Sequence, residues 1–256
     1  MFNRNYSKTI EEIVIFIKTT LQSAGFEKVV IGVSGGVDSA TALTLLVKVV
    51  GRYKIFPVIL PFDAIHPQAM KDARVIINSL KIPEKNITKI DIQNVVDDIA
   101  GHDKNISLLR KGNIMSRVRM IYLYDIARKN KALVCGTENK TEYMLGYFTR
   151  YGDEASDFEP LRKLYKTEVR QLARYLGVPE KIIEKHPTAG LWPGQTDEEE
   201  FGFSYADADK VLHLSFNKKL TSDQVIKTSG IDEFIVKAVL ARVKKNSFKH
   251  QVPLTP

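Results

Sequence analysis

Lys28 to Ala40 reads KVVIGVSGGVDSA, an apolar β-branched run that breaks into a glycine pair and then into hydroxyl and acidic residues. The run Lys28–Ser34 has the composition of a strand buried on both faces of a parallel sheet. Gly35 and Gly36 let the backbone turn tightly and approach a ligand with no Cβ in the way, leaving successive amide N–H groups free to converge on anionic oxygens. Ser34 and Ser39 add hydroxyls, and a helix opening near Ser39 adds the positive end of its dipole. Strand, loop and helix together predict a phosphate cradle.

Two familiar glycine loops are excluded. GxxxxGK[ST] needs a lysine that is absent, and GxGxxG is not matched from Gly32 onward. Asp38 stands in the loop instead, and a carboxylate beside phosphates requires a cation between them, so the loop predicts bound magnesium.

Outward from this stretch, helical spacing of Ile10, Ile13, Val14, Ile17 and Leu21 predicts a helix over about 9–24, opened by a Thr9/Glu12 capping box and closed at Gly25. A helix to Val50 leads to a second buried strand, Tyr53–Leu60. A helix from His66 to Leu80, a weaker strand at Ile87–Ile92, a long helix at about Ser107–Asn130 and a fourth strand, Ala132–Thr137, follow. This alternation predicts an α/β fold, a doubly wound parallel sheet with helices on both faces. With strand order 3-2-1-4, Asp38 and Glu142 of the GTENKTE stretch face each other at the switch point and share one magnesium ion.

Beyond Thr149 the pattern predicts short helices at Lys166–Leu176, Pro179–Lys185, Ala206–Phe216 and Asp232–Lys244. Pro187–Ser204, with the only Trp, reads as too polar and broken to be core and is the candidate lid; Thr149–Pro160 is a similar loop. The 256 residues suit one domain over 1–256, with a sheet core at about 28–150 and a helical, loop-rich part at about 151–256.

The formal charge of +8 favours anionic partners, but no Lys/Arg run or aromatic-interleaved basic motif marks a nucleic-acid site. Cys135 is the single cysteine, which excludes internal disulfides and CxxC metal sites and predicts a cytoplasmic setting. No stretch reaches the roughly 18 apolar residues of a membrane span, and the amino terminus lacks a cleavage site.

SGGVDS after a buried strand resembles the SGGxDS loop of the N-type ATP pyrophosphatases, which cleave ATP between the α and β phosphates. Gly136–Arg174, containing FTRYGDEASDFEP, is similar to ammonia-dependent NAD synthetases over its whole length, as are KGNIMSRVRM (Lys111–Met120) and PTAGLWPGQTDE (Pro187–Glu198). The resemblance implies that Gly32, Val33, Ser34, Gly35, Gly36, Val37, Asp38, Ser39, Thr137, Lys166 and Thr188 contact ATP, and that Asp38 and Glu142 bind Mg2+. It implies that Arg117, Arg150, Asp157, Phe248 and Lys249 contact deamido-NAD, with Arg150 in place of the family's Lys and Phe248-Lys249 in place of its His-Lys pair. Gly190 replaces a common acidic residue.

The implied reaction is ATP-dependent amidation of deamido-NAD by ammonia through an acyl-adenylate, giving NAD, AMP and pyrophosphate. Asp38, Lys166 and Asp157 are its expected catalytic residues, and a homodimer with the dinucleotide at the interface is implied. Arg117 and Arg119 lie about 200° apart on a helix, so they serve different tasks, and Lys166, a point charge, suits the leaving pyrophosphate. Free ammonia is expected because the chain carries no glutaminase nucleophile or spare length for one. The rivals are a tRNA-modifying pyrophosphatase, whose thiolating versions need paired cysteines, and a nucleotide sensor, which has no use for Asp38, Glu142 and Lys166 together.

Overall fold

The computed structural model describes residues 4–62 and 67–251. Its sheet has four parallel strands in the order β3-β2-β1-β4: β1 Lys28–Gly32, β2 Ile55–Ile59, β3 Thr88–Lys89 and β4 Ala132–Cys135. This is the expected order. β1 lies at the centre, with Val29 opposite Ile55 on one side and Leu133 on the other.

Alternation along β1 explains the layers. Val29 and Ile31 point into a core shared with helices α1 (Tyr6–Ala24), α2 (Val37–Val50), α3 (Pro67–Ser79), α7 (Lys166–Leu176) and α8 (Glu180–Ile183). Val30 points the other way, onto a core built with Val96 of α4 (Gln93–Ala100) and Met115 and Val118 of α5 (Leu108–Asn130). All three β1 side chains are fully buried, as a strand covered on both faces must be.

A third apolar cluster joins α6 (Lys140–Leu145), α9 (Asp197–Phe201), α10 (Tyr205–Leu212), α11 (Ser222–Ser229) and α12 (Glu233–Asn246). A π-helical turn, His213–Asn217, follows α10 directly.

Several boundaries differ from expectation for local reasons. α1 starts earlier than the Thr9/Glu12 box because Asn5 caps it, its side chain accepting from Lys8 N, while Thr9 Oγ1 donates back to Asn5 O. β3 is shorter than Ile87–Ile92: the ladder pairs only Thr88 and Lys89 with Val58 and Ile59, because Pro57 before it and Pro61 after it supply no N–H, and beyond it Ile90 N and Ile92 N donate to Ile59 O and Pro61 O. The expected helix start at His66 lies outside the described residues; from Pro67 the helix is present. α4, α6, α9 and α11 were hidden in stretches too short or too polar for a clear period. Pro187–Ser204 divides in two, because its second half forms α9 and sends Phe201 and Phe203 into the third core cluster.

Gly35 has φ +79°, and a Cβ there would lie 2.3 Å from Ala69 O of α3. The glycine loop therefore rests directly on the backbone of α3. Gly25 also has positive φ, +73°, but its Cβ would meet nothing.

The two alanine substitutions separate these effects. Gly25→Ala is expected to destabilise by about 1–2 kcal/mol through backbone strain alone, and Gly35→Ala by about 1–3 kcal/mol more through the clash. Thermal unfolding checks this, with about 2–4 °C of Tm per kcal/mol in a chain of this size; equal shifts would show that the α3 contact is slack.

Candidate active site

The carboxyl ends of β1 and β4 are adjacent, and the loops leaving them open onto a cavity of about 920 Å³. Within the glycine loop, Ser39 Oγ donates to Gly36 O at 3.1 Å and accepts from Ser34 N at 3.3 Å, holding the turn from inside. Gly36 caps α2 without a side chain, so no side-chain oxygen covers the helix's first amides. An anion can take that place.

Opposite stands the GTENKTE stretch. Asn139 caps α6, its Oδ1 accepting from Thr141 N and Glu142 N at 3.0 Å each, while its Nδ2 donates to Asp38 Oδ1 at 3.0 Å. One side chain thus starts a helix and ties the β4 loop to the β1 loop. A short capping-box spacing, Asn139 to Glu142, was the signal for it in the sequence.

Lys166 completes the centre. Its side chain is buried, with Nζ 2.6 Å from Asp38 Oδ2 and 3.0 Å from Glu142 Oε1. Burial alone pulls its pKa down, but Asp38, Glu142 and Asp197 outweigh burial and hold the ammonium charged. Burial pushes Glu142 up to about 7, with Lys166 opposing and Asp38 adding to the rise. When fully ionised the two carboxylates exceed the one ammonium, so the centre has room for more positive charge. Among the described residues no three metal-ligating side chains cluster, so a cation held by Asp38 and Glu142 needs its other ligands from phosphate and water.

Two further networks surround the centre, and neither was read from the sequence. Asp209, fully buried on α10, accepts from Thr141 Oγ1, Thr167 N and Thr167 Oγ1, while Lys166 N donates to Thr141 Oγ1 at 2.9 Å. It clamps the start of α7, where Lys166 sits, to α6. Asp197 accepts from Tyr205 OH at 2.8 Å, Tyr147 OH at 3.0 Å and Ala189 N at 2.9 Å, and Tyr205 OH also reaches Glu142 Oε1 at 3.3 Å. The first half of the candidate lid is thereby fastened to the acidic centre.

The expected site residues divide into groups. Gly32, Val33, Ser34, Gly36, Val37, Asp38, Ser39, Thr137, Glu142, Lys166, Thr188 and Lys249 line the cavity; Gly35 lies behind it against α3. Lys249 Nζ donates to Gly146 O and Phe148 O at 2.7 and 2.8 Å. Arg119, expected to differ in task from Arg117, is half-buried in the cavity wall and donates to Leu60 O at 3.2 Å.

Arg117, Arg150 and Phe248 gather off the cavity. Arg117 Nε donates to Arg150 O at 3.3 Å, and the Arg150 guanidinium lies 5.2 Å from the Phe248 ring centroid. Asp157 stands apart at the β4 edge, its Oδ2 accepting from Val134 N at 2.6 Å. It lines a second groove with Tyr124, Arg128 and Lys131.

A family model described as NAD synthase matches residues 9–253. The NH(3)-dependent NAD(+) synthetase of Fusobacterium nucleatum is 37% identical over 250 residues, 98% of this chain and 95% of that protein. The solved structure of an NMN synthetase from Francisella tularensis aligns with TM-score 0.86 and 33% identity, covering 99% of both chains. An NH3-dependent NAD synthetase from Campylobacter jejuni aligns with TM-score 0.83 and 30% identity, over 99% of this chain and 100% of that one.

Buried carboxyls away from the centre predict a pH dependence. Burial raises Asp209 to about 6, Glu159 to about 7, and Glu138 well above its ordinary value. Each holds its proton more tightly folded than unfolded, so the stability it contributes is present at low pH and is lost as pH rises through the folded pKa. His213, lowered by burial, acts in the opposite sense but is one group against three. The ligand-free protein is expected to melt several degrees lower at pH 7.5 than at pH 5.5; a Tm that rises over that window in differential scanning calorimetry would contradict this.

Proposed function

The chain belongs to the NAD synthase family, and on that premise we propose how its centre performs the family's chemistry. The activity is ATP-dependent amidation of deamido-NAD by ammonia to give NAD. The observation that carries the mechanism is the convergence of Asp38, Glu142 and Lys166 beside the open amides of the glycine loop.

In the first step a nicotinate carboxylate oxygen bonds to the α phosphorus of ATP and the bond to the β-phosphate bridge breaks. The pyrophosphate carries the departing charge, which the loop amides and Lys166 accept without moving. Ammonia then adds to the acyl carbon, the bond from that carbon to the bridging oxygen breaks so that AMP leaves with the carboxylate oxygen, and the nitrogen gives up one proton to solvent water as the amide forms. Asp38 and Glu142 would hold Mg2+, which supplies charge neutralisation at the phosphates. The fit rests on two carboxylates already sharing one cation, the Lys166 ammonium. Thr188 and Leu191, on the lid half fastened by Asp197, line the cavity and help keep water from the adenylate.

A homodimer is part of this reading. Arg117, Arg150, Phe248 and Asp157 lie off the cavity of a single copy, so they act on the dinucleotide only where a second copy completes the site. Exposed Ile15 and Phe16 of α1 and Ile121 of α5 offer apolar surface for the contact. A cytoplasmic setting also belongs to the reading, supported by the free, buried Cys135. Among the described residues no helix is long and apolar enough to cross a membrane.

Purified protein with Mg-ATP, ammonium and deamido-NAD is expected to release NAD, AMP and pyrophosphate; ADP as the nucleotide product would overturn the mechanism. Nicotinate mononucleotide belongs in a parallel assay, since the Francisella tularensis structure is described as an NMN synthetase. Asp38→Ala is expected to abolish turnover with the fold intact, and Lys166→Met to lower kcat by at least about 100-fold. Unchanged turnover in either would remove that residue from the mechanism. Light scattering is expected to give twice the 29.0 kDa chain mass, and a monomer at full activity would refute the shared site.

A further inference from the structure

The SGGVDS loop carries no cation of its own, yet one reaches it from a segment distant in sequence. Lys185, in the turn between α8 and Pro187, lines the cavity. Its Nζ lies 3.1 Å from Asp72 Oδ2. Asp72 is 3% exposed, and its other oxygen accepts from Gln68 Nε2 at 2.8 Å and lies 3.8 Å from Lys181 Nζ. Asp72 is also a residue on which the loop rests: its Cβ lies 3.1 Å from the position a Gly35 Cβ would take. Loop, carboxylate and ammonium are consecutive contacts.

Among the described residues three lysines line the cavity; Lys249 gives two donors to Gly146 O and Phe148 O, and Lys166 and Lys185, which bracket the glycine loop, are differently engaged. Lys166 commits two of its three N–H donors, to Asp38 and Glu142, on the β4 side of the loop. Lys185 commits one, to Asp72, on the α3 side, and its side chain remains 29% exposed. Two donors therefore have no partner among the described residues and are open to a ligand, on an ammonium whose position is set before the ligand arrives. The surrounding loop amides select anions, and ATP's outer phosphates are the part of the nucleotide with most charge to neutralise.

We propose that Lys185 binds the outer phosphates of ATP and the departing pyrophosphate from the α3 side of the glycine loop, with Asp72 as its positioning residue. The two cations then flank the phosphates, Lys166 from β4 and Lys185 from α3. The proposal rests on reading the cavity as an ATP site.

Calorimetric titration of the full-length protein with Mg-ATP, pyrophosphate and AMP tests it, because AMP lacks the outer phosphates. Lys185→Ala is expected to weaken Mg-ATP and pyrophosphate by about 10-fold or more and AMP by less than about twofold, the scatter expected of a surface change. Lys185→Arg should restore part of the loss. Asp72→Asn should weaken Mg-ATP less than Lys185→Ala and add little to it in the double variant, as coupled residues do. Mg-ATP affinity unchanged in Lys185→Ala, or ATP and AMP weakened in parallel, would overturn the assignment. A wild-type protein that takes up no ATP would instead defeat the functional reading itself, and this assignment with it.

Discussion

Lys166 between Asp38 and Glu142 is the constraint on which the rest of the site depends. It joins three segments far apart in the chain: the helix after β1, the short helix after β4, and α7. Two half-buried carboxylates facing each other repel where water is scarce, and the buried ammonium makes their approach tolerable. Removing one member leaves buried charge uncompensated. The centre is thus held by opposition of charge.

That constraint is backed by structure with no direct part in the chemistry. Asp209 fixes the first turn of α7, and Thr141 passes that order on to the backbone of Lys166. Gly35 seats the phosphate loop on α3, with no side chain between them. Asp197 and Tyr205 connect the segment before α9 to Glu142 through consecutive hydrogen bonds. Preorganisation of this kind suits a reaction whose catalysis is mainly the positioning of charge.

The sheet and the glycine loop were legible because their residues interact locally and repeat a simple pattern. Val29, Val30 and Ile31 announce a doubly covered strand, and two glycines with two serines announce a phosphate turn. The facing of Asp38 and Glu142 followed from strand order. The Lys166 bridge did not, because α7 joins the site through packing of helices rather than through the sheet. Asp209, Asp197 and Asp72 were illegible for a related reason: Asp209 and Asp72 look in sequence terms like solvated charges on a helix, Asp197 is one of four consecutive acids at the start of α9, and only tertiary packing buries them. The polar character of Pro187–Ser204 misled in its second half, since Phe201 and Phe203 reach core across a helix too short to show a period. Arg117 and Asp157 fit the family pattern, yet the tertiary fold sets both off the cavity, Arg117 on α5 and Asp157 beside β4.

In the proposed reaction this centre directs a carboxylate oxygen to the α phosphorus of ATP. Deamido-NAD labelled with 18O in its carboxylate, turned over with Mg-ATP and ammonium, tests it most directly. Mass spectrometry of the products is expected to find one labelled oxygen in the phosphate of AMP and none in pyrophosphate. Label in pyrophosphate, or AMP without label, would contradict the account.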